Sequence, residues 1–198
     1  MAVLQPHEFD MSYFTGGHPV GYSNYQRWYR YSSDILPSDE STGEYFSDIA
    51  KKFKLWQFLD TKKVLELGCA YGFIVQMLRE NGIQAWGMDI SEYAISQADP
   101  GVQPYLINSD VRGALPQYPR NAFNVVFSHD FLCCFSESDL NLLIIQMNKI
   151  GFLQVHFIRD DYNPDYYISM PVSWWLGLGF KKGTILILNN DFNNFYKV

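Results

Sequence analysis

Val64-Leu65-Glu66-Leu67-Gly68-Cys69-Ala70-Tyr71-Gly72 decides how the rest of the chain is read. Lys63 to Leu67 form a short apolar strand that ends at Gly68. Gly68 suits a tight turn, and its missing side chain lets a ligand approach the backbone. Apolar Phe73, Met77 and Leu78 then fall on one face of a helix over 72–80, with Asn81-Gly82 as its stop. A strand, a glycine turn and a helix in this order are the start of a βα unit.

Downstream, the alternation continues. Gln84-Ala85-Trp86-Gly87-Met88 is a second strand, closed by Asp89, and Ser91 caps a helix to about Ala98. Tyr105-Leu106-Ile107 is a weak third strand closed by Asp110, and Phe123 to Phe127 is a strong fourth followed by Ser128-His129-Asp130. Asp139 to Lys149 is a helix, Phe152 to Ile158 a fifth strand, Trp174-Trp175-Leu176 part of a short helix, and Lys182 to Leu188 a further strand. Strands alternating with helices imply parallel βαβ units in a doubly wound α/β sheet. Near-continuous apolar strands fit burial on both faces.

Upstream, Tyr45, Ile49, Phe53, Trp56 and Leu59 recur at helical spacing, so 44–59 reads as a helix. Residues 1–40 are punctuated by Gly16-Gly17, Pro19, Gly21 and Pro37 and carry Tyr13, Phe14, Tyr22, Tyr25, Trp28, Tyr29 and Tyr31. They read as loops and short helices that either cover a pocket as an aromatic lid or pack the core. The expected organisation is a single domain over 1–198, with lid and leading helix in 1–60 and the sheet in 61–198.

Composition narrows the classes. The chain has 198 residues, 47% hydrophobic, which excludes wholesale disorder. No apolar run approaches the roughly 20 residues that span a bilayer, and the start lacks a signal-peptide pattern. A cytoplasmic protein is expected, with no membrane partner. Fifteen Lys and Arg against 21 Asp and Glu leave a net charge of −6, which disfavours nucleic-acid backbone as a partner. The basic cluster Lys51-Lys52-Phe53-Lys54 with Lys62-Lys63 reads as a solvated helix face. The three cysteines, Cys69, Cys133 and Cys134, are too few for a disulfide framework, and they and the four scattered histidines show no zinc spacing, so no metal is expected.

In an open α/β sheet, ligands bind at the carboxyl ends of the strands near the point where strand order reverses. The residues to read are those after each strand. Asp89 stands about twenty residues beyond Gly68, where an acid accepts hydrogen bonds from a ribose diol. Alone, Asp89 and Asp110 could equally be helix caps. A dinucleotide fingerprint starting at Gly68 would need glycine where Ala70 and Phe73 stand, and no phosphate-binding Gly-Lys-Ser/Thr loop is present.

The ordered set resembles the class I, Rossmann-like S-adenosylmethionine-dependent methyltransferases. Residues 64–72 resemble the family's first motif, Trp86-Gly87-Met88-Asp89-Ile90-Ser91 its second, Asn108-Ser109-Asp110-Val111 its third, and Phe123 to His129 its fourth. Leu178-Gly179-Phe180 before a strand resembles the final hairpin. The resemblance implies a mostly parallel seven-stranded sheet with flanking helices. It implies S-adenosylmethionine as cofactor, S-adenosylhomocysteine as product, and a binding set of Glu66, Gly68, Cys69, Ala70, Gly72, Asp89, Ile90, Ser91, Asp110, Val111, Ser128 and His129. Asp89 would serve the ribose, Asp110 the adenine amino group, and Val111 the ring. The family's middle glycine is Ala70 here, a change that costs little where φ is negative. Cys69 reads as a backbone contact, because nothing basic flanks it to activate the thiol. Tyr13-Phe14 and Gly21-Tyr22-Ser23-Asn24-Tyr25 resemble leader segments of small-molecule methyltransferases.

Methyl transfer from a sulfonium needs a base only when the acceptor arrives protonated. His129 is the first candidate, because an imidazole titrates near neutrality; packing beside the cofactor is the alternative, and Asp130 is the weaker candidate. Asn163-Pro164-Asp165-Tyr166 resembles the Asn-Pro-Pro-Tyr of amino-group DNA methyltransferases, but it follows the fifth strand rather than the fourth and reads as a turn. The stretch after Phe135 leaves no room for a recognition domain, so a small molecule or an exposed side chain is the expected acceptor. Two other readings stand beside this one: a non-catalytic methyltransferase-like subunit acting through a protein partner, and an enzyme using an altered adenosyl donor.

Overall fold

A computed structural model describes residues 6–18, 63–158, 170–188 and 195–198. Seven strands form one sheet: β1 (Lys63–Leu67), β2 (Gln84–Asp89), β3 (Leu106–Asn108), β4 (Phe123–Ser128), β5 (Gly151–Ile158), β6 (Ile185–Leu188) and β7 (Phe195–Lys197). Their order is β3-β2-β1-β4-β5-β6-β7. All neighbours pair in parallel except β6 and β7, which are antiparallel. The chain runs outward from β1 to β3 and then crosses to β4 on the other side of β1. The reversal point therefore lies between the carboxyl ends of β1 and β4, where Leu67 pairs with Ser128. This is the doubly wound, mostly parallel sheet that the sequence implies.

Strand alternation sends successive side chains to opposite faces. Val64, Val125, Phe127, Val155, Phe157 and Ile187 pack in one core with Ile74, Val75, Met77 and Leu78 of α2 (Phe73–Glu80). Leu65, Leu67, Met88, Val126, Leu186 and Leu188 pack in the other with Leu140, Leu143, Ile144, Met147 and Ile150 of α5 (Glu137–Ile150). Each of these side chains is nearly or wholly buried, at roughly 1.5–3 kcal/mol of apolar transfer apiece.

The helix ends follow local chemistry. Asp10 caps α1 (Met11–Thr15), its Oδ1 accepting from Ser12 N at 2.8 Å. Gly72 (φ 72°) opens α2, and Asn81 with Gly82 (φ 78°) closes it. Ser91 caps α3 (Glu92–Ser96), Asp110 caps α4 (Val111–Ala114), and Ser136 caps α5. A last short helix, α6, covers Val172–Gly177.

Several boundaries differ from the sequence reading. α3 stops at Ser96 rather than Ala98, because Ala98 N turns to the Ile95 carbonyl, three residues back, instead of continuing the helical ladder. Tyr105 lies not in β3 but in a 3-10 turn, Gln103–Tyr105, where its ring receives the Arg79 guanidinium at 3.1 Å. α5 begins earlier, at Glu137, because Ser136 supplies the cap. β6 begins only at Ile185, after a turn in which Gly183 takes φ 93°. The helix expected over 44–59, the basic cluster Lys51-Lys52-Phe53-Lys54, the segment 21–25 and Asn163-Pro164-Asp165-Tyr166 lie outside the described residues. No helix among the described residues is long and apolar enough to cross a membrane.

Candidate active site

The turns after β1, β2, β3 and β4 meet around one cavity of about 130 Å³. β1 and its turn contribute Glu66, Gly68, Cys69 and Ala70. The β2 and β3 ends contribute Asp89 and Ile90, then Ser109, Asp110, Val111 and Arg112. The segment after β4 contributes His129, Asp130, Phe131, Cys134 and Phe135. Phe9, Tyr13 and Phe14 close one side from the N-terminal segment, and Phe73 and Ile74 come from the start of α2.

The first turn is built under constraint. Gly68 takes φ 72°, and a Cβ there would stand 2.3 Å from Cδ2 of Phe131. Ala70 takes φ 45°, in the left-handed region. The condition under which alanine replaces the family's glycine cheaply is therefore not met; left-handed backbone costs a residue with a Cβ about 1–2 kcal/mol. The conformation is held by a hydrogen bond from Ala70 N to Asp89 Oδ2 at 2.8 Å. Gly87 makes room for Cys69, since a Cβ there would lie 2.6 Å from Sγ. Burial pushes the Cys69 thiol well up, reinforced by Asp89 and Glu66, so it is not a thiolate.

Asp89 closes the turn after β2. Its Oδ1 accepts from Ser91 N at 2.8 Å. Burial raises its carboxyl above the usual range, opposed by the amides of Ser91, Ala70 and Ile90. Each oxygen of a carboxylate has two lone pairs, so acceptor capacity remains on the cavity side. Glu66 is the only polar side chain within β1 after Lys63, and it is 3% exposed. Burial raises its carboxyl well above the ordinary value, Asp89 adds to this, and the Val75 amide opposes it. Its Oε2 has no hydrogen-bond partner.

Asp110 is both cap and ion-pair member. Its carboxylate holds Arg112 through Nη2 at 2.7 Å and Nε at 3.1 Å, and Arg112 N donates to it at 2.9 Å. The Arg112 side chain is the main reason that the Asp110 carboxyl lies below its usual range. The same guanidinium reaches Asp139 at 3.4 Å.

Of the residues that the sequence proposes, Glu66, Gly68, Cys69, Ala70, Asp89, Ile90, Asp110, Val111 and His129 border the cavity. Gly72, Ser91 and Ser128 do not. Gly72 packs against Leu106, and a Cβ there would lie 2.7 Å from Leu106 Cδ1. Ser91 Oγ accepts from Ala94 N at 3.0 Å and donates to the Phe9 carbonyl, so it fastens the N-terminal segment over α3. Ser128 is fully buried and bonds the imidazole of His156 at 2.8 Å. His129 is half-buried, with its ring 4.8 Å from that of Phe157.

Sequence reading missed the aromatic wall after β4, Phe131 and Phe135, whose rings meet at 4.9 Å. It also missed Phe9, Phe73, Ile74, Ser109, Arg112 and Cys134 as lining residues. Arg112 was within reach, because it lies two residues past an acid at a strand end. The cluster of Phe14, Tyr71 and Tyr93 joins α1 to the first two turns, with Phe14 and Tyr71 rings 5.4 Å apart.

Residues 65–150, from β1 to the end of α5, match the family model described as a methyltransferase domain. With the sheet order, this gives the described core the fold of the class I, Rossmann-like S-adenosylmethionine-dependent methyltransferases. Among solved structures, the chain is similar to one titled for conversion of a disulfide bond into a thioacetal group during echinomycin biosynthesis. That likeness has 20% identity, a TM-score of 0.51, and coverage of 74% of this chain and 57% of the other. A SAM-dependent methyltransferase from Archaeoglobus fulgidus aligns at 17% identity and TM-score 0.48, over 74% of this chain and 52% of that one. Magnesium protoporphyrin IX methyltransferase from Synechocystis PCC 6803, solved with bound SAM, aligns at 18% identity and TM-score 0.49, over 76% of this chain and 74% of its own. The chain thus spans little more than half the length of the first two. No curated protein matches it.

Proposed function

We propose that the protein transfers the methyl group of S-adenosylmethionine to a small molecule or an exposed side chain. The observation that carries this is convergence: the turns after four strands, on both sides of the reversal point, border a single cavity. The cavity suits the cofactor chemically. A glycine turn approaches it without a side chain, the half-buried Asp89 keeps free lone pairs, and Glu66 Oε2 lacks a partner. When bound, S-adenosylmethionine supplies a methyl carbon made electrophilic by the sulfonium.

In this reading Gly68, Cys69 and Ala70 form the cradle, Asp89 accepts from the ribose hydroxyls, and Ile90 and Val111 cover the adenine. Asp110 accepts from the adenine amino group while retaining Arg112. Gly72, Ser91 and Ser128 support these groups from behind rather than touching the ligand. His129 and Asp130, at the end of β4, are the groups placed to take a proton from the acceptor. Phe9, Tyr13 and Phe14 exclude water on the open side. Small-molecule acceptors and a cytoplasmic setting go with this proposal.

Calorimetric titration with S-adenosylmethionine and S-adenosylhomocysteine tests the reading. Micromolar binding of both is expected, and neither binding to folded protein would overturn it.

A further inference from the structure

The roles proposed above leave Glu66 Oε2 without a partner. Strand alternation puts Glu66 on the face covered by α2, beside Val64 and among apolar side chains. It borders the cavity, is 3% exposed, and has an Oε2 without a partner. The charged and titratable groups around it are mostly acidic. Asp89 acts on it directly, Glu66 and Asp89 in turn raise the neighbouring Cys69 thiol, and Asp110, Asp130, His129 and Tyr13 lie along the same lining. Arg112 is the one guanidinium or ammonium on the described lining, and it is bound to Asp110 and Asp139.

A buried carboxylate with an unsatisfied oxygen is costly, so Glu66 keeps its proton. Asp89, with three amide donors, is the better anion of the two. A cation placed beside Glu66 favours its carboxylate form. We propose that Glu66 is the group by which the cavity reads the charge of its ligand: its carboxyl stays neutral beside a neutral ligand and gives its proton to solvent when a cationic ligand is seated. One O–H bond breaks, the proton goes to buffer, and a carboxylate–cation pair remains. The inference rests on the proposed function for the identity of the cation, S-adenosylmethionine.

The test is calorimetry of the full chain near pH 6 in two buffers of different ionisation heat. The probes are S-adenosylmethionine and 5′-methylthioadenosine, a neutral nucleoside. Proton release is expected with the first and none with the second. Glu66→Gln keeps an acceptor for the Val75 amide; it should abolish the release and weaken S-adenosylmethionine about tenfold or more relative to methylthioadenosine. Binding of S-adenosylmethionine without buffer-dependent heat overturns this inference alone, as does unchanged release in Glu66→Gln. Failure of S-adenosylmethionine to bind folded protein overturns the proposed function and this inference with it. The wild-type buffer comparison decides the matter even if the variant does not fold.

Discussion

Ala70 N donates to Asp89 Oδ2 at 2.8 Å, and this bond ties the turn after β1 to the end of β2. It joins a strained backbone to a half-buried acid. The other oxygen of Asp89 accepts from Ser91 N, so one carboxylate fixes two of the turns that border the cavity. Asp89, the proposed acceptor for the ribose, is therefore also the brace that shapes the turns around it.

Asp89→Ala should weaken S-adenosylmethionine binding by about 1–3 kcal/mol, the scale for removing a partner from a buried polar group. The Ala70 and Ser91 amides lose their acceptor as well, so thermal stability should fall in the apo protein. Calorimetry and a melting curve read the two effects. Unchanged affinity would put the ribose elsewhere.

Ala70→Gly should stabilise the apo protein by about 1 kcal/mol, because the φ of 45° costs an L side chain that glycine lacks. Greater freedom of glycine in the unfolded chain offsets part of the gain. Urea unfolding measures the change. A loss of stability would show that the Ala70 methyl, which is buried with Tyr71 and Phe14, contributes more by packing than its backbone costs.

His156 is wholly buried, and burial holds its imidazole down to about 3. Its Nε2 donates to Gln154 Oε1 at 3.0 Å, leaving Nδ1 to accept from Ser128 Oγ. Gln154 continues to Asn148 at 2.7 Å, and Asn148 to the Gly179 carbonyl at 2.6 Å, linking β4, β5, α5 and the turn before β6. The unfolded chain takes up this proton near pH 6.5 and the folded chain only near 3. The stabilisation from the neutral ring is therefore full above pH 6.5 and is lost as pH falls toward 3, at about 1.4 kcal/mol per pH unit. His156→Gln should remove that slope from urea unfolding measured across the window. Identical slopes in the two proteins would mean that His156 is already charged when folded.

The parts of the fold that are legible in the sequence are those set by local pattern. β1 and α2 follow from apolar spacing and glycine stops, and strand ends closed by Asp89 and Asp110 point to one edge of the sheet. What is not legible depends on contacts between distant segments. Ser128 and His156 are paired only because β4 and β5 lie side by side in a register that sets them opposite one another. Phe131 reaches Gly68 only because β1 and β4 are neighbours. The positive φ at Ala70 accompanies a bond to Asp89 across two strand ends, which sequence spacing does not reveal. β7 is three residues long and gave no pattern of its own; its place comes from pairing with β6.

His129→Ala should lower methyl transfer to a protonated acceptor by about 10²–10⁴, the usual span for a positioned base, with little change in S-adenosylmethionine affinity. The ring borders the cavity at the reversal point and packs at 4.8 Å on Phe157, which is itself buried in the α2-side core. That contact gives the imidazole a fixed position, as a base needs, but it also gives it a packing role. The two are separated by measuring both parameters with an acceptor found by screening. A drop in turnover with unchanged cofactor affinity, together with loss of the acid limb of the pH–rate profile, marks the base. A drop in cofactor affinity with turnover preserved at saturation marks packing, and then Asp130, buried and next along the lining, becomes the residue to replace.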